Sequence, residues 1–144
     1  DRKIHLVPVA LDAEAREGLY TYQEDPATAQ TPLVLISPAT NRTISSTLGQ
    51  LRKGPVALEM HPSDATARGL ADGQRVKVSN AYGEVLCRLR LSHDQRPGVV
   101  ELPKGLWAHN TDNGYTACAL APDTVTDLGD GACFNDARVE VSPA

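Results

Sequence analysis

The chain has 144 residues, of which 41% are hydrophobic and 22% charged, a balance that fits one globular domain and excludes a disordered chain. Its net charge of −4 argues against a nucleic-acid-binding surface, and no apolar run approaches the roughly 20 residues of a membrane-spanning helix. Only 4% of the residues are aromatic, whereas 11 are glycine and 10 are proline, so we expect an aliphatic core and many short elements joined by turns.

The beginning of the chain is weakly patterned and predicts an N-terminal arm or connector over residues 1–31. Residues 4–7 fit one short strand. Asp12 fits the N-cap and Gly18 the C-cap of a helical turn between them. The polar stretch 23–32 fits a connector. Because the sequence begins with an aspartate rather than a methionine, we expect a processed product or a part of a longer protein.

An apolar run between Pro32 and Pro38 predicts a buried strand, and it leads into a polar loop, residues 39–48, around Arg42. Hydroxyls, an amide, a guanidinium and free backbone N–H groups suit a phosphate or the edge of a polar heterocycle. An ordinary surface loop is the alternative interpretation, because clusters of Ser, Thr and Asn are common in loops.

Short elements follow in close order. Residues 56–60 predict a strand, and residues 61–69 predict a short helix with Pro62 in its first turn and Gly69 at its left-handed end. We interpret His61 as the residue that begins this helix rather than as a catalytic group. Apolar residues then alternate over 75–91 around a turn, as in a hairpin with one apolar face.

The last third of the chain predicts a strand at 99–102, a long second loop over residues 103–115, and a closing strand at 137–141. Long loops on compact β domains often carry function. Residues 116–120 fit a strand or a short turn, and residues 122–128 fit a helical turn. Together the elements predict a mainly β fold, a small β-barrel with a short central helix.

The three cysteines are widely spaced and include no Cys-x-x-Cys pair, so the sequence indicates neither a zinc site nor a disulfide framework. Cys87 lies on the apolar face of its predicted strand, and we expect it to be buried and inert. Cys118 should lie nearer the functional groove and react faster. We interpret all three, including Cys133, as free thiols.

The order of these motifs resembles the C-terminal molybdopterin dinucleotide-binding domain of the dimethyl sulfoxide reductase-type molybdenum and tungsten oxidoreductases. The segments that carry the resemblance are residues 60–85, with their run His61-Pro62-Ser63-Asp64, followed by 96–100, 120–123 and 133–141. It covers about residues 32–142 and implies a double-psi β-barrel domain over residues 32–144, preceded by an irregular arm.

The resemblance also implies a function. Such a domain covers part of a molybdopterin guanine dinucleotide cofactor in its bis form, with molybdenum or tungsten, while the remainder of the catalytic chain or a large subunit holds the rest. The cofactor contacts that it implies in the polar loop are Thr40, Asn41, Arg42, Thr43, Ser45 and Ser46.

Two further positions depart from the family's pattern. Cys118 stands where the family usually has a cofactor-binding asparagine, and Asn135 stands where some members have a lysine. A thiol cannot replace both hydrogen bonds of an amide, so Asn113 and Thr116 are alternative contacts. Trp107 is interpreted as a packing residue, with stacking on a pterin or guanine ring as the alternative.

Three function classes stay open at this point. The first is a cofactor-binding domain or subunit of a molybdenum oxidoreductase, which is not catalytic as an isolated chain. The second is a non-catalytic double-psi barrel interaction module. The third is a small enzyme on the same barrel, and the usual catalytic motifs and a Gly-Ser self-cleavage dipeptide are absent from the sequence. We expect neither nucleic acid nor membrane insertion.

Overall fold

The computed structural model of the protein describes residues 2–15, 18, 21–22, 24–41, 44–52, 54–126 and 129–144. In these ranges six strands form one closed barrel, so the prediction of a mainly β barrel is confirmed. The strands are β1 Leu33–Ile36, β2 Ala57–Met60, β3 Arg75–Ser79, β4 Glu84–Leu91, β5 Val99–Glu101 and β6 Arg138–Pro143. The helices among the described residues are α1 Val9–Glu14, α2 Pro62–Ala67 and the 3-10 helices Gly49–Leu51, Ala108–Asn110 and Ala117–Leu120.

The strands follow one another around the barrel in the order β1, β5, β2, β4, β3, β6, and β6 closes the ring by pairing with β1. Two pairs are parallel, β1 with β5 and β2 with β4, and the other neighbours are antiparallel. In the first pair, Val34 stands opposite Val99 and Ile36 opposite Glu101. Parallel neighbours end at the same edge of a sheet, so the chain segments that follow β1 and β5 leave the barrel side by side.

The hairpin of β3 and β4 has the apolar face that its alternating residues predict. Val76 stands opposite Cys87 and Val78 opposite Val85, and all four side chains are fully buried. The prediction that Cys87 is buried is therefore confirmed. Each buried aliphatic side chain of this kind contributes about 1.5–3 kcal/mol through the area it removes from water.

Helix α2 begins and ends where its sequence predicts. The Nδ1 atom of His61, its N-cap residue, accepts a hydrogen bond of 3.1 Å from the backbone N–H of Ser63. Pro62 follows at a position whose N–H would have no partner inside the helix. Gly69 ends the segment with φ +65°, a conformation that favours glycine. The interpretation of His61 as a helix-entry residue is confirmed.

Side chains of α2 fix it to the barrel wall. The Oδ2 atom of Asp64 accepts a hydrogen bond of 2.8 Å from the backbone N–H of Gly98, just before β5. Arg68 follows the helix, and its Nε atom donates to Oε1 of Glu140 on β6 at 2.5 Å. The helix therefore ties together the beginning of β5 and the middle of β6.

The arm differs from its prediction in both elements. Residues 4–7 form no strand, and helix α1 begins after Pro8 and ends before Ala15, so neither Asp12 nor Gly18 caps it. A strand needs a partner edge, and the closed ring of six strands leaves none for these residues. None of the residues of α1 is buried.

An ion pair between Asp25 and Arg138 ties the arm to the barrel. The Nε atom of Arg138 on β6 donates to Oδ1 of Asp25 at 2.7 Å, and the backbone N–H of Ala27 donates to the same oxygen at 2.9 Å. The hydrogen bond from Arg138 holds the pKa of Asp25 below its ordinary value. The connector therefore has a fixed point close to the start of β6.

The segment between the second loop and β6 also differs from its prediction. Residues 117–120 form a 3-10 helix, which corresponds to the turn that was one of the two expectations. The helical turn expected at 122–128 is wrong over the described residues 122–126, and residues 127–128 lie outside the described ranges. Val125 instead forms an isolated antiparallel β-bridge with Ala132, so the backbone at Val125 pairs with a later segment of the chain and not within a helical turn.

Candidate functional site

The polar loop leaves the end of β1 in a strained conformation. Ile44 and Thr47 form an isolated antiparallel bridge, in which the N–H of Thr47 donates to the carbonyl of Ile44 at 2.9 Å. Two residues without the freedom of glycine lie in the left-handed region, Ser45 with φ +50° and Leu48 with φ +66°. Such a conformation costs about 1–2 kcal/mol per residue. It persists only where surrounding contacts fix it.

The first of these contacts joins the polar loop to the second loop backbone to backbone. A Cβ atom placed on Gly105 would lie 2.1 Å from the carbonyl oxygen of Ser45 and 2.8 Å from the backbone nitrogen of Ser46. Gly105 also has φ +74°. Glycine is therefore required here for two separate reasons, its conformation and the close approach.

Trp107 supplies the second contact. Its Nε1–H donates to the carbonyl oxygen of Ser46 at 2.8 Å. A Cβ atom placed on Gly49 would lie 2.3 Å from the indole Cδ1 and Nε1 atoms, so the ring occupies the space of a side chain at that position. The ring is 41% exposed, which leaves part of it facing solvent.

Asn110 supplies the third contact, and it is 1% exposed. Its Oδ1 atom accepts from the backbone N–H of Trp107 at 3.0 Å, and its Nδ2 atom donates to the carbonyls of Arg52 at 3.4 Å and Gly54 at 3.3 Å. His109 also donates to the Arg52 carbonyl, through Nε2 at 3.1 Å. The segment that follows the polar loop is thus held by two neighbouring side chains of the second loop.

Arg52 carries an unsatisfied donor. Its Nη1 atom is buried and has no hydrogen-bond partner among the residues that the structure describes. A buried donor without a partner costs about 1–3 kcal/mol, and more when it is charged. The acceptor that a guanidinium matches best is an anionic oxygen of a carboxylate or phosphate.

A cavity of about 130 Å³ adjoins these loops. Gly105 belongs to its wall as well as to the contact with Ser45, so the cavity and the polar loop share a border. The remaining wall residues follow β1 and β5, belong to the 3-10 helix 117–120 or its neighbours, or lie in the segment before β6. They are Ser37, Pro103, Lys104, Thr116, Ala117, Cys118, Ala121 and Phe134.

The structure places some of the predicted site residues beside the cavity or against the polar loop. Thr116 and Cys118 line the cavity, and Cys118 is exposed, as expected of the more accessible thiol. Asn135 is exposed and follows the wall residue Phe134. Trp107 lies against the polar loop.

The polar-loop candidates are accessible where the structure describes them. Thr40 is half-buried, and Asn41, Ser45 and Ser46 are exposed. Arg42 and Thr43 lie outside the described residues.

Asn113 is placed differently from the other candidates. Its Oδ1 atom accepts from the N–H of Leu86 and its Nδ2 atom donates to the carbonyl of Glu84, both at 3.1 Å. Its amide thus pairs with the backbone of β4.

Sequence reasoning missed several residues of the site. Arg52 and Lys104 were not chosen because isolated cations in loops carry no motif. Gly105 could have been noticed as a glycine in a long loop. Within the described residues no group of three or more His, Cys, Asp or Glu side chains could hold a metal ion.

Residues 33–138 match the family model described as the Molydopterin dinucleotide binding domain. The chain belongs to this family. Membership means that it is a molybdopterin dinucleotide-binding domain, so the expectations of this family and of a molybdopterin dinucleotide cofactor are confirmed. The buried Nη1 of Arg52, the exposed hydroxyls of the polar loop and the bordering cavity fit such a group.

Relatives of this domain are much longer proteins. "Probable oxidoreductase YoaE" of Bacillus subtilis is 28% identical over 145 residues, which cover 96% of the chain and 21% of that protein. Dimethyl sulfoxide reductase DmsA of Escherichia coli is 32% identical over 122 residues, covering 79% of the chain and 15% of DmsA. Biotin sulfoxide reductase of Cereibacter sphaeroides is 33% identical over 91 residues, covering 62% and 12%. The chain therefore spans 12 to 21% of the length of these three relatives.

A solved structure shares the fold of this molydopterin dinucleotide binding domain. Acetylene hydratase from Pelobacter acetylenicus superimposes with a TM-score of 0.70 at 15% identity, covering 86% of the chain and 21% of that protein. No helix in the described part of the chain is long and apolar enough to cross a membrane.

Proposed function

We propose that the polar loop, the cavity and Arg52 form one face of the enclosure around the dinucleotide, and that a larger polypeptide supplies the other faces. That larger protein is a molybdenum or tungsten oxidoreductase, and this chain is one of its domains. The observation that carries the proposal is the junction at Gly105, a residue that both lines the cavity and closely approaches the backbone of the polar loop at Ser45.

The roles of the residues follow from their chemistry. The pyrophosphate of a dinucleotide is anionic, and Arg42, Arg52 and Lys104 are cations proposed to pair with it. The hydroxyls of Ser45 and Ser46 suit ribose oxygens and ring edges.

The other candidates take secondary roles. Thr40, Asn41 and Thr43 extend the set of donors along the polar loop. Thr116, Cys118 and Asn135 form the rim of the cavity. Asn113 is the weakest candidate, because both ends of its amide already bind β4.

We also propose that the barrel is of the double-psi type. Support comes from its two parallel pairs, β1 with β5 and β2 with β4, in which strands that are not consecutive in the chain become neighbours. In this arrangement the polar loop and the second loop both leave the ends of one parallel pair, beside the cavity.

The isolated chain is proposed to be a partial binding site without catalytic activity. When bound, the cofactor supplies the redox chemistry, and the residues of this chain orient it and neutralise its charge. A charge-assisted hydrogen bond contributes about 1.5–3 kcal/mol. A few such bonds, offset by at least about 4 kcal/mol of lost translational and rotational freedom, leave an affinity in the millimolar range.

The test is a titration of the ¹⁵N-labelled chain with guanosine diphosphate, a commercially available fragment of the cofactor, followed by amide chemical shifts. We expect millimolar binding with shifts concentrated at residues 44–52 and at the cavity wall. Arg52→Ala should weaken the affinity about tenfold, since it removes one charge-assisted hydrogen bond. Arg42→Ala should have an effect of the same direction without unfolding the barrel.

Arg96→Ala is the matched control, because Arg96 is an exposed arginine in the turn before β5. It should leave the affinity unchanged. Shifts concentrated away from the polar loop, or equal affinities for Arg52→Ala and Arg96→Ala, would contradict the proposal. So would one tightly held molybdenum per isolated chain in metal analysis.

A further inference from the structure

We propose that Trp107 is a positioning residue for the dinucleotide, which holds the polar loop in its binding conformation. This inference deepens the proposed function and rests on it, since it concerns the same loop. The indole Nε1–H of Trp107 donates its hydrogen bond to the carbonyl oxygen of Ser46, a residue of the loop itself.

The polar loop has a conformation that its own sequence does not favour. Ser45 and Leu48 both have positive φ, and neither is a glycine. An unrestrained loop of serines and threonines would leave the left-handed region, and its hydroxyls and N–H groups would then point in varied directions. Contacts from another part of the chain must therefore hold this loop.

The contacts of Trp107 lie at the places where such support is needed. Its indole N–H bonds to the carbonyl of Ser46, which lies between the two strained residues. Its ring fills the space beside Gly49, directly after the second strained residue. The backbone of Trp107 is itself fixed through its N–H, which donates to the buried Asn110.

The composition of the chain makes the idea directly measurable. Trp107 is the only tryptophan, so the indole N–H gives a single, unambiguous signal in a ¹H–¹⁵N spectrum. The first experiment needs no ligand and measures hydrogen exchange of that indole proton. We expect slow exchange in the unsubstituted protein and fast exchange in Gly49→Ala, because the new Cβ would displace the ring.

Two further variants separate the hydrogen bond from the ring. Trp107→Phe keeps an aromatic ring but removes the donor to Ser46, and Trp107→Ala removes both. We expect the amides of residues 44–49 to move in both variants, and to move further with alanine. Gly49→Ala should add nothing in the Trp107→Ala background, because the space beside residue 49 is then open. Tyr82→Ala, at an exposed aromatic residue of the β3–β4 turn, is the control and should leave those amides in place.

The second experiment repeats the guanosine diphosphate titration on these variants under conditions where each is fully folded. We expect Trp107→Phe to weaken the affinity about threefold, and Trp107→Ala about tenfold, the range for losing one hydrogen bond and its packing. A purely structural residue would lower the melting temperature and leave the affinity of the folded protein unchanged. Positioning predicts that the loss of affinity follows the displacement of the amides of residues 44–49, which is larger for alanine than for phenylalanine.

The outcomes separate this inference from the proposed function. If the unsubstituted protein does not respond to guanosine diphosphate, the proposed function fails its own test, and the exchange and amide-shift measurements still decide the role of Trp107. Fast exchange of the indole proton in the unsubstituted protein would overturn the inference. So would Trp107→Ala spectra with unmoved loop amides, or binding by Trp107→Ala equal to that of the unsubstituted protein.

Discussion

Gly105→Ala is the substitution whose effect the structure defines most closely. The new Cβ would lie 2.1 Å from the carbonyl oxygen of Ser45, an atom of the backbone that cannot rotate away. It would also place a side chain on a residue with φ +74°. The two effects have separate causes, and a second glycine of the chain allows them to be measured separately.

Gly73→Ala is that comparison. Gly73 has φ +73°, and a Cβ placed on it would meet nothing within 4 Å. The free energy of unfolding of Gly73→Ala should therefore fall only by the cost of the left-handed conformation, about 1–2 kcal/mol. The free energy of unfolding of Gly105→Ala should fall by the same amount and by about 2–3 kcal/mol more. The additional loss arises because the second loop must separate from the polar loop to relieve the overlap.

Thermal unfolding followed by circular dichroism measures the difference. For a domain of about this size 1 kcal/mol corresponds to roughly 3 °C, so Gly105→Ala should melt about 12 °C below the unsubstituted protein and Gly73→Ala about 4 °C below it. The guanosine diphosphate affinity should fall for Gly105→Ala alone. Equal melting temperatures for the two variants would refute the backbone contact between the loops.

Three further predictions concern ionisable groups. A thiol reagent should label exposed Cys118 first and half-buried Cys133 next, and it should reach Cys87 only after unfolding; rapid labelling of Cys87 with Cys118 protected would show that the register of β4 is wrong. Burial raises the pKa of Cys87 from 9.0 to about 11, so the free energy of unfolding is unaffected by this thiol below pH 9 and falls by about 2 kcal/mol as the pH rises to 11. Denaturant titrations between pH 8 and pH 11 should show that loss of unfolding free energy in the unsubstituted protein and not in Cys87→Ala. The same dependence on pH in both proteins would contradict the prediction. The hydrogen bond from Arg138 lowers the pKa of Asp25, so its stabilisation is present above the ordinary value of 3.8 and is lost as the pH falls through the lower folded value. Asp25→Asn should therefore lower the melting temperature slightly at pH 7, and the gap should close in acid; a gap that persists there would show that the ion pair is not its source.

The barrel was predictable because its strands carry local signals. Alternation at 75–91 determines which side chains face inward, and the residues of α2 mark its beginning and its end without outside help. The arm was not predictable in the same way. The apolar residues 4–7 look like a strand, but a strand forms only beside a free edge, and the closed ring offers none. That fact belongs to the whole fold and not to any segment.

The residues of the candidate site also differ in whether local sequence or distant contacts determine their roles. Polar residues of the 39–48 loop were found because their composition is local. Trp107 and Gly105 act on that loop from about 60 residues further along the chain, and Asn113 shows the reverse case. Its position in a promising loop predicted a ligand contact, yet its amide pairs with the backbone of β4. Such choices between ligand and backbone are made by three-dimensional packing, which residue type alone does not reveal.

The place of β6 in the ring has a consequence for how this domain is made. β6 is inserted between β1 and β3, so Leu33 must find Val139 and Val78 must find Val141 before the ring is complete. During synthesis the other five strands emerge before β6. Without β6 the sheet is open, and its edges β1 and β3 are unpaired and can pair with other chains. Closure then depends on contacts between distant parts of the sequence, which makes folding slow. Stalling the ribosome before and after residue 143 emerges, and probing each nascent chain with protease, would show resistance arriving in one late step.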